Sequence, residues 1–346
     1  MKTNIILSLI FTLLMCCSCG GDEPNPETGG NPYSFPFFPS GRYAINDVQG
    51  PHVKLDGLNI KNLPIWDCST STRPVEALLV CGLLGLDYCD YYDIANESMY
   101  TMMPDYSKLS TNDANKLHDK LLSNTTHGAF INLIDGKVDI AVCSRALSRA
   151  EIEYANEKGV EILQTPIALD GFVFIVNENN PVEMLTVDQI RQIYTADITN
   201  WKDVGGNDAT ISPYIRDANS GSQEKMETLV MNGLTMIDWP HMRGFSMLDP
   251  FFQVSSDDNG IGYTLYYFAN VMALGTRVKM LGLNGVAATK ENIINGSYPF
   301  ITEVVIAVRN DIKRNSWAWK CYNLVATGQE NGMIDATGYV AGKINN

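Results

Sequence analysis

Small hydroxyl residues recur in this sequence where a strand-like segment gives way to a helix-like one, and arginine accompanies several of them. Such junctions present unpaired backbone N–H groups, hydroxyl donors and the positive end of a helix dipole, which together bind oxyanions. An arginine adds a bidentate pair of hydrogen bonds to the same ligand. The residues of this kind are Ser71-Thr72-Arg73, Thr126, Ser144-Arg145, and Arg216 with Ser220-Gly221-Ser222.

A simpler explanation is available for any single junction, because Ser and Thr are preferred N-cap residues of ordinary helices. Four such junctions, three of them carrying an arginine, favour a shared binding role instead. The Ser220-Gly221-Ser222 segment supports this interpretation, since glycine lets a backbone approach a ligand closely. The sequence therefore predicts an oxyanion site assembled from several loops.

Evidence for catalysis is missing from the sequence. The motifs GxSxG, HExxH and GxxxxGK[ST] do not occur. The four histidines do not form a ligand pair at helical spacing, and no cysteine pattern is typical of a metal site. We therefore expect no enzyme activity, no metal and no cofactor; a phosphatase or other hydrolase would need a nucleophile–base pair or a metal cluster.

Short apolar strands alternate with amphipathic helices from about residue 60 onward. Residues 138–142, 161–167, 171–176 and 210–215 have the pattern of strands. Capping boxes at Ser148 with Glu151, and at Thr186 with Gln189, predict helix starts, and further helices are expected at 75–86, 129–134 and 223–231. This alternation predicts an α/β fold with mainly parallel sheets and helices on both faces.

The N-terminal segment is typical of an export signal. Lys2 precedes the apolar residues 5–15, a stretch too short to span a bilayer. Cysteines follow at once, and the pattern resembles a bacterial lipoprotein signal, with residues 1–19 as signal peptide and Cys19 as the lipidated residue. Cys17 is the alternative, and an ordinary secretory signal remains open. Residues 20–59 are predicted to be a tether and N-terminal extension, rich in Pro, Gly and Asn up to about residue 40.

Charge limits the partners of the chain. Its 346 residues carry a formal net charge of −14, with 25 Lys and Arg against 39 Asp and Glu. Nucleic-acid binding needs a basic surface that displaces counterions, so we expect no nucleic-acid partner. The 45% of hydrophobic residues exclude disorder of the whole chain. Net charge describes long-range attraction, however, and does not exclude a small anion in a pocket of N–H groups and hydroxyls.

The sequence resembles the PstS-like phosphate-binding proteins of bacterial ABC phosphate transporters over most of residues 60–345. The segment from Arg216 to Ser222 is similar to the R-x-x-x-S-G-[ST] anion loop of that family. Other segments match the family in order and spacing. They are residues 71–74, 136–139, 172–177, 185–190, 198–201, 260–263 and 295–299.

The resemblance implies an anion held between two lobes by hydroxyls, backbone amides and one arginine. It assigns binding to Thr72 and the Arg73 amide, to Thr126, and to the loop from Arg216 to Ser222. Ser144 stands where the family often has an aspartate, which accepts the hydrogen of protonated phosphate and repels sulfate. Because a serine both donates and accepts, that means of discrimination is not available at this position.

The resemblance implies a two-lobed type II periplasmic-binding-protein fold whose chain crosses the hinge twice, near residues 168–171 and 271–272. One lobe is expected to contain residues 60–168 plus 272–346, and the other residues 169–271. The expected function is that of a monomeric, lipid-anchored protein of the cell envelope that captures phosphate or a related oxyanion for ABC permease subunits. A surface-exposed sensing or interaction lipoprotein on the same scaffold is the alternative, since fold does not fix function.

Overall fold

The computed structural model describes residues 43–48, 53–93, 100–218, 220–244, 247–272, 276–328, 332, 334 and 339–342. The predicted signal peptide, Cys19 and most of the predicted tether lie outside the described residues. Within them, the helices are too short or too polar to cross a membrane.

The first half of the described chain alternates strands and helices as expected. Its strands are β1 (Tyr43–Val48), β2 (Trp66–Ser69), β3 (Tyr88–Asp93), β4 (Tyr100–Pro104), β5 (Leu121–Asn124), β6 (Ile140–Cys143) and β7 (Ile162–Asn177). Its α-helices are α1 (Arg73–Leu84), α2 (Thr111–His118), α3 (Thr126–Ile134) and α4 (Arg149–Glu157).

The second half has shorter strands. They are β8 (Met184–Leu185), β9 (Ser212–Pro213), β10 (Ile215–Arg216), β11 (Arg243–Gly244), β12 (Gly260–Leu265), β13 (Val278–Met280), β14 (Gly282–Leu283), β15 (Ile301–Arg309) and β16 (Val340–Ala341). The α-helices are α5 (Val187–Tyr194), α6 (Gly221–Lys225), α7 (Asp249–Ser255), α8 (Lys290–Ile294) and α9 (Trp317–Ala326).

The largest sheet has the order β5-β2-β6-β15-β7-β12-β9. Strand β2 pairs in parallel with both β5 and β6, so the carboxyl ends of these strands meet at one edge. The centre of the sheet is antiparallel, because β15 and β12 both run opposite to their neighbour β7. The expectation of mainly parallel sheets is therefore met around β2 but is wrong for the centre.

Strand β7 is a single strand of 16 residues, where the sequence predicted two separate extended segments. It pairs with β15 as far as Gly171 and with β12 from Phe172 onward. This change of partner falls at the end of the predicted hinge segment, residues 168–171. The assignment of residues to two lobes stays a prediction.

Two predicted helix starts are confirmed in atomic detail. Ser148 accepts from the Glu151 backbone N–H while the Glu151 carboxylate accepts from the Ser148 N–H, at 3.4 and 2.7 Å. Thr186 and Gln189 form the same reciprocal pair ahead of α5. Each pair satisfies backbone donors that a helix start otherwise leaves unpaired.

The helix predicted over residues 223–231 is divided in two. Helix α6 occupies Gly221–Lys225, and a π-helical segment continues over Met226–Met231. The C-cap of this segment is Asn232, whose φ of 47° is left-handed. The strand predicted over residues 210–215 is likewise divided, into β9 and β10.

The start of α3 is fixed by its packing on the sheet. Phe130 and Leu133 of α3 are fully buried against Ala141 of β6 and Ala307 of β15. Removing such side chains from water contributes about 1.5–3 kcal/mol each. This packing holds Thr125 and Thr126 close to the carboxyl ends of β2 and β6.

Candidate functional site

A cavity of about 380 Å³ lies where loops from distant parts of the chain meet. Most of its lining residues carry hydroxyls or offer backbone donors at the start of a helix. They are Ser69, Thr70, Ser71, Thr125, Thr126, Arg216, Asp217, Ser220, Gly221, Ser222 and Met247. The predicted residues Ser71, Thr126, Arg216, Ser220, Gly221 and Ser222 are thus brought together, whereas Thr72, Arg73, Ser144 and Arg145 are not part of the lining.

The first loop directs its hydroxyls differently from what the sequence predicted. Thr72 is buried, and its hydroxyl donates to the Val142 carbonyl at 2.6 Å, so it connects β2 to β6. Ser71 lines the cavity, and its carbonyl accepts from the Tyr339 hydroxyl at 2.7 Å. Ser69, Thr70 and Ser71 therefore face the cavity, while Thr72 holds the loop in place.

Arg145 is engaged in ion pairs away from the cavity lining. Its Nη1 and Nη2 grip both oxygens of Glu151 at 2.8 and 3.0 Å, and its Nε contacts Glu224 at 2.9 Å. Burial opposes the charged form of Arg145, but the hydrogen bonds and charges of these two carboxylates outweigh it and raise the pKa. Arg73 begins α1 and is partly exposed.

Arg216 is the buried charge of the cavity wall. Only 4% of the residue is exposed, and its Nε donates to the Gly244 carbonyl at 3.3 Å. Among the described residues, no carboxylate forms a salt bridge with its guanidinium. Burial lowers the pKa of this group from its ordinary value, although an arginine stays charged at neutral pH. Nη1 also contacts the Met247 sulfur at 3.6 Å, and the other guanidinium hydrogens have no described partner.

The backbone around Arg216 is fixed by buried polar groups. The Arg216 N–H is shared between the Tyr263 hydroxyl at 3.0 Å and Gln223 Oε1 at 3.1 Å. Tyr263 itself donates to Gln223 Oε1 and is 1% exposed. Tyr263 thus supports the arginine from behind and is not part of the cavity wall.

The loop after Arg216 has the geometry expected of its sequence. Ser220 is the N-cap of α6, where its hydroxyl accepts from the Ser222 N–H at 3.2 Å. Gly221 approaches the opposite loop so closely that a Cβ would lie 3.4 Å from Thr126 Oγ1 and 3.8 Å from Ser144 Oγ. The anion loop and the start of α3 therefore face each other across a short distance.

Ser144 lies one contact away from the cavity. Its Oγ is 3.2 Å from Thr126 Oγ1 and accepts from Lys225 Nζ at 2.8 Å. Lys225 is 4% exposed, and burial lowers the pKa of its ammonium group to about 8. A second buried cation therefore stands close to the same cavity as Arg216.

Several of these residues were missed by the sequence analysis. Lys225 lies three positions after Ser222, a spacing that puts both on one face of a helix, and this was the available signal. Thr125 and Ser69-Thr70 belong to the same hydroxyl runs as the predicted residues. Asp217 follows Arg216 directly, while no sequence signal pointed to Met247.

A second cavity, of about 420 Å³, also borders Arg216. Its lining includes the carboxylates Glu227 and Asp238 together with apolar side chains. The same lining contains Arg243, which pairs with Asp238 at 2.6 Å. The hydroxyl-lined cavity has one carboxylate, Asp217, and contains most of the predicted anion-binding residues, so it is the better candidate site. In the part of the chain that the structure describes, no group of three or more His, Cys, Asp or Glu is arranged to hold a metal.

Comparison with known proteins identifies the family. The sequence model of the PBP superfamily domain matches residues 95–319. The chain belongs to this family. Solved structures of similar fold include a putative phosphate ABC transporter substrate-binding protein with bound phosphate from Clostridium perfringens, with a TM-score of 0.58 and 23% identity over 81% of this chain and 99% of that one. An ABC-type phosphate transport receptor from Vibrio cholerae has a TM-score of 0.56 and 23% identity, over 80% and 99% of the two chains.

These solved structures confirm the predicted two-lobed type II fold of the PBP superfamily. Curated relatives include SphX of Synechococcus elongatus, 29% identical over 53% of this chain and 57% of its own length. The phosphate-binding protein PstS of Borreliella burgdorferi is 28% identical over 51% and 63%, and that of Staphylococcus epidermidis 28% over 71% and 77%. The chain thus spans less than two thirds of the first two relatives. The predicted resemblance to PstS-like proteins is confirmed.

Proposed function

We propose that this protein captures phosphate or a related tetrahedral oxyanion in the hydroxyl-lined cavity. The observation that carries the proposal is Arg216, a 4% exposed guanidinium in the cavity wall without a salt bridge to any described carboxylate. A buried charge is costly unless it is paired, so this position favours an anionic ligand. Hydroxyl residues make up most of the remaining lining, which also includes Asp217 and Met247.

The proposed ligand contacts are the predicted residues that line the cavity: Ser71, Thr126, Arg216, Ser220, Gly221 and Ser222. Thr72, Ser144 and Arg145 then hold in place the loops that carry these groups. The proposal is for binding without turnover, in agreement with the prediction that the chain is not an enzyme. Release of product from a model phosphoester by the pure protein would contradict it.

Isothermal titration tests the proposed ligand class. The mature protein is unfolded and refolded to remove bound ions, then titrated with phosphate, arsenate and sulfate in a buffer without oxyanions. Saturable heat with at least one of them is expected. A refolded protein with native circular dichroism that binds none of the three would refute the function.

The proposed biological role is delivery of the anion to ABC permease subunits. It includes the predicted division into one lobe of residues 60–168 and 272–346 and another of residues 169–271, which close on the ligand. Small-angle X-ray scattering with and without anion tests closure and, from the same data, the predicted monomeric state. An unchanged radius of gyration at saturation would contradict closure.

The proposed envelope location depends on Cys19. Lipidation there would attach the protein to a membrane through the tether. We expect Cys19→Ala to release the protein into the soluble envelope fraction, whereas Cys17→Ala leaves it membrane-bound. The reverse result would assign the lipid to Cys17.

A further inference from the structure

A chain of hydrogen bonds connects the buried Lys225 to the cavity. Lys225 Nζ lies 2.8 Å from Ser144 Oγ, which lies 3.2 Å from Thr126 Oγ1 in the cavity wall. Lys225 is 4% exposed and Ser144 is 2% exposed, so water does not compete for these contacts. Within the described part of the chain, no carboxylate forms a salt bridge with Lys225.

The direction of the first hydrogen bond in this chain is fixed. An ammonium group has three hydrogens and no lone pair, so it only donates. Ser144 Oγ must therefore accept from Lys225, and its own single hydrogen is free for Thr126 Oγ1. Either hydroxyl can donate in the contact between Ser144 and Thr126. When Ser144 donates, Thr126 keeps its hydrogen for the cavity and presents a donor to the ligand.

We propose that Ser144 donates to Thr126 while it accepts from the charged Lys225, so that the Lys225–Ser144–Thr126 chain is a specificity-determining element that makes this wall of the site a hydrogen-bond donor. An unprotonated tetrahedral dianion offers lone pairs on every oxygen and satisfies such a wall fully. Hydrogen phosphate has one protonated oxygen, which pairs less well with a donor than an unprotonated oxygen does. The site therefore takes sulfate-like dianions as well as phosphate. This inference rests on the proposed function and specifies its ligand class.

The charges around Lys225 favour the same conclusion. Glu224 and Asp170 are close enough to stabilise the positive charge of Lys225, whereas Arg145 destabilises it. Arg216 stands on another side of the cavity. Two buried cations near one small cavity favour a dianion over a monoanion, and both sulfate and hydrogen phosphate are dianions.

One carboxylate acts against the inference and defines its strictest test. Asp217 belongs to the lining of the same cavity and is able to accept a proton from hydrogen phosphate. If Asp217 performs that role, the site would reject sulfate despite the donor wall. Asp217→Asn separates the two possibilities.

The experiment is a competition of sulfate against phosphate, measured by titration at neutral pH on stripped, refolded protein. We expect the two dissociation constants of the native protein to agree within about tenfold, the worth of one hydrogen bond. Lys225→Met frees Ser144 to accept, so sulfate affinity is expected to fall at least about tenfold more than phosphate affinity. Lys202→Met, which removes an exposed lysine, is the matched control and is expected to leave the ratio unchanged.

A second variant covers failure of Lys225→Met to fold. Ser144→Asp supplies an acceptor in the same place and is expected to shift the ratio toward phosphate. Native protein that binds phosphate and excludes sulfate overturns this inference but leaves the proposed function standing, and loss of that exclusion in Asp217→Asn would assign it to Asp217. Native protein that binds neither anion refutes both. An unchanged ratio in folded Lys225→Met or Ser144→Asp also overturns the inference.

Discussion

Arg145 and Arg216 occupy similar places in the fold but differ in what holds them. Each lies at or just after the end of a strand and ahead of a helix, and both were predicted as anion ligands. The Arg145 guanidinium is bound to Glu151 and Glu224. The Arg216 guanidinium contacts the Gly244 carbonyl and the Met247 sulfur, and it lines the cavity. Salt bridges thus hold Arg145 within its loop, whereas Arg216 forms no salt bridge with a carboxylate among the described residues.

Glu151 explains the difference. Its carboxylate caps α4 by accepting from the Ser148 N–H and also accepts from Nη1 and Nη2 of Arg145. It lies 3.0 Å from His127 Nδ1. Burial raises the pKa of this carboxyl, but Arg145 and the Ser148 N–H lower it further than burial raises it. The charge of Arg145 is therefore used within the loop itself.

The largest effect is expected when Arg145 is removed. Arg145→Met should lower the free energy of unfolding by about 3–5 kcal/mol, because the Glu151 side chain, 0% exposed, is left charged without its partner. Urea denaturation measures this loss, and anion affinity of the folded variant should stay nearly unchanged. Arg145→Met with Glu151→Gln should recover part of the stability. A variant of native stability that no longer binds anion would reverse the two roles.

Removal of Arg216 should act on binding and not on the fold. Arg216→Ala is expected to weaken anion binding by about 2–3 kcal/mol, because a charge-assisted pair with the ligand is lost. Titration calorimetry measures the affinity, and circular dichroism checks the fold. Arg216→Lys keeps the positive charge but loses the bidentate geometry of the guanidinium, so its anion affinity should be intermediate. Equal affinities of all three proteins would place the site elsewhere.

The pH dependence of binding should report the other buried cation. Burial lowers the pKa of Lys225 to about 8, so the free protein loses this charge as pH rises past that value. Sulfate affinity should therefore fall between about pH 7 and about pH 9, and sulfate itself does not titrate there. Burial also raises the pKa of Asp170 to about 7, and its ionisation opposes an anion too.

Two variants separate these groups. Lys225→Met should abolish the alkaline loss, whereas Asp170→Asn should leave it in place and remove only the component near neutral pH. A flat profile for the native protein over this range would show that neither group acts on the ligand.

The smallest effect is expected at Glu224, the second partner of Arg145. Its side chain is 37% exposed, so the solvent screens the contact. Glu224→Gln should cost less than about 1 kcal/mol of unfolding free energy. Glu151→Gln is the matched variant and should cost clearly more. Equal losses would mean that burial does not distinguish the two ion pairs.

The sequence carries enough information for the local parts of the site. The two capping boxes depend on residues three positions apart, and both were predicted. The α/β class followed from hydrophobic periodicity. The anion loop was predicted because its arginine, serines and glycine are close together in the chain.

Long-range contacts were beyond the sequence. The direction of the Thr72 hydroxyl depends on the Val142 carbonyl, 70 residues away. Lys225 meets Ser144 across 81 residues, and Arg145 meets Glu224 across 79. Hydrophobic patterns do not encode which side chain reaches across such a distance. The single strand β7 was also missed, because Asp170-Gly171 breaks its apolar pattern.

Strand β7 has a mechanical consequence. It is buried throughout residues 167–177 and runs without a break past the point where its partner changes from β15 to β12. Its backbone amides are shielded from water and should be among the slowest in the molecule to exchange their hydrogens for deuterium. Any rotation of one part of the sheet against the other must then twist this strand, because the strand has no break at which the chain could bend freely.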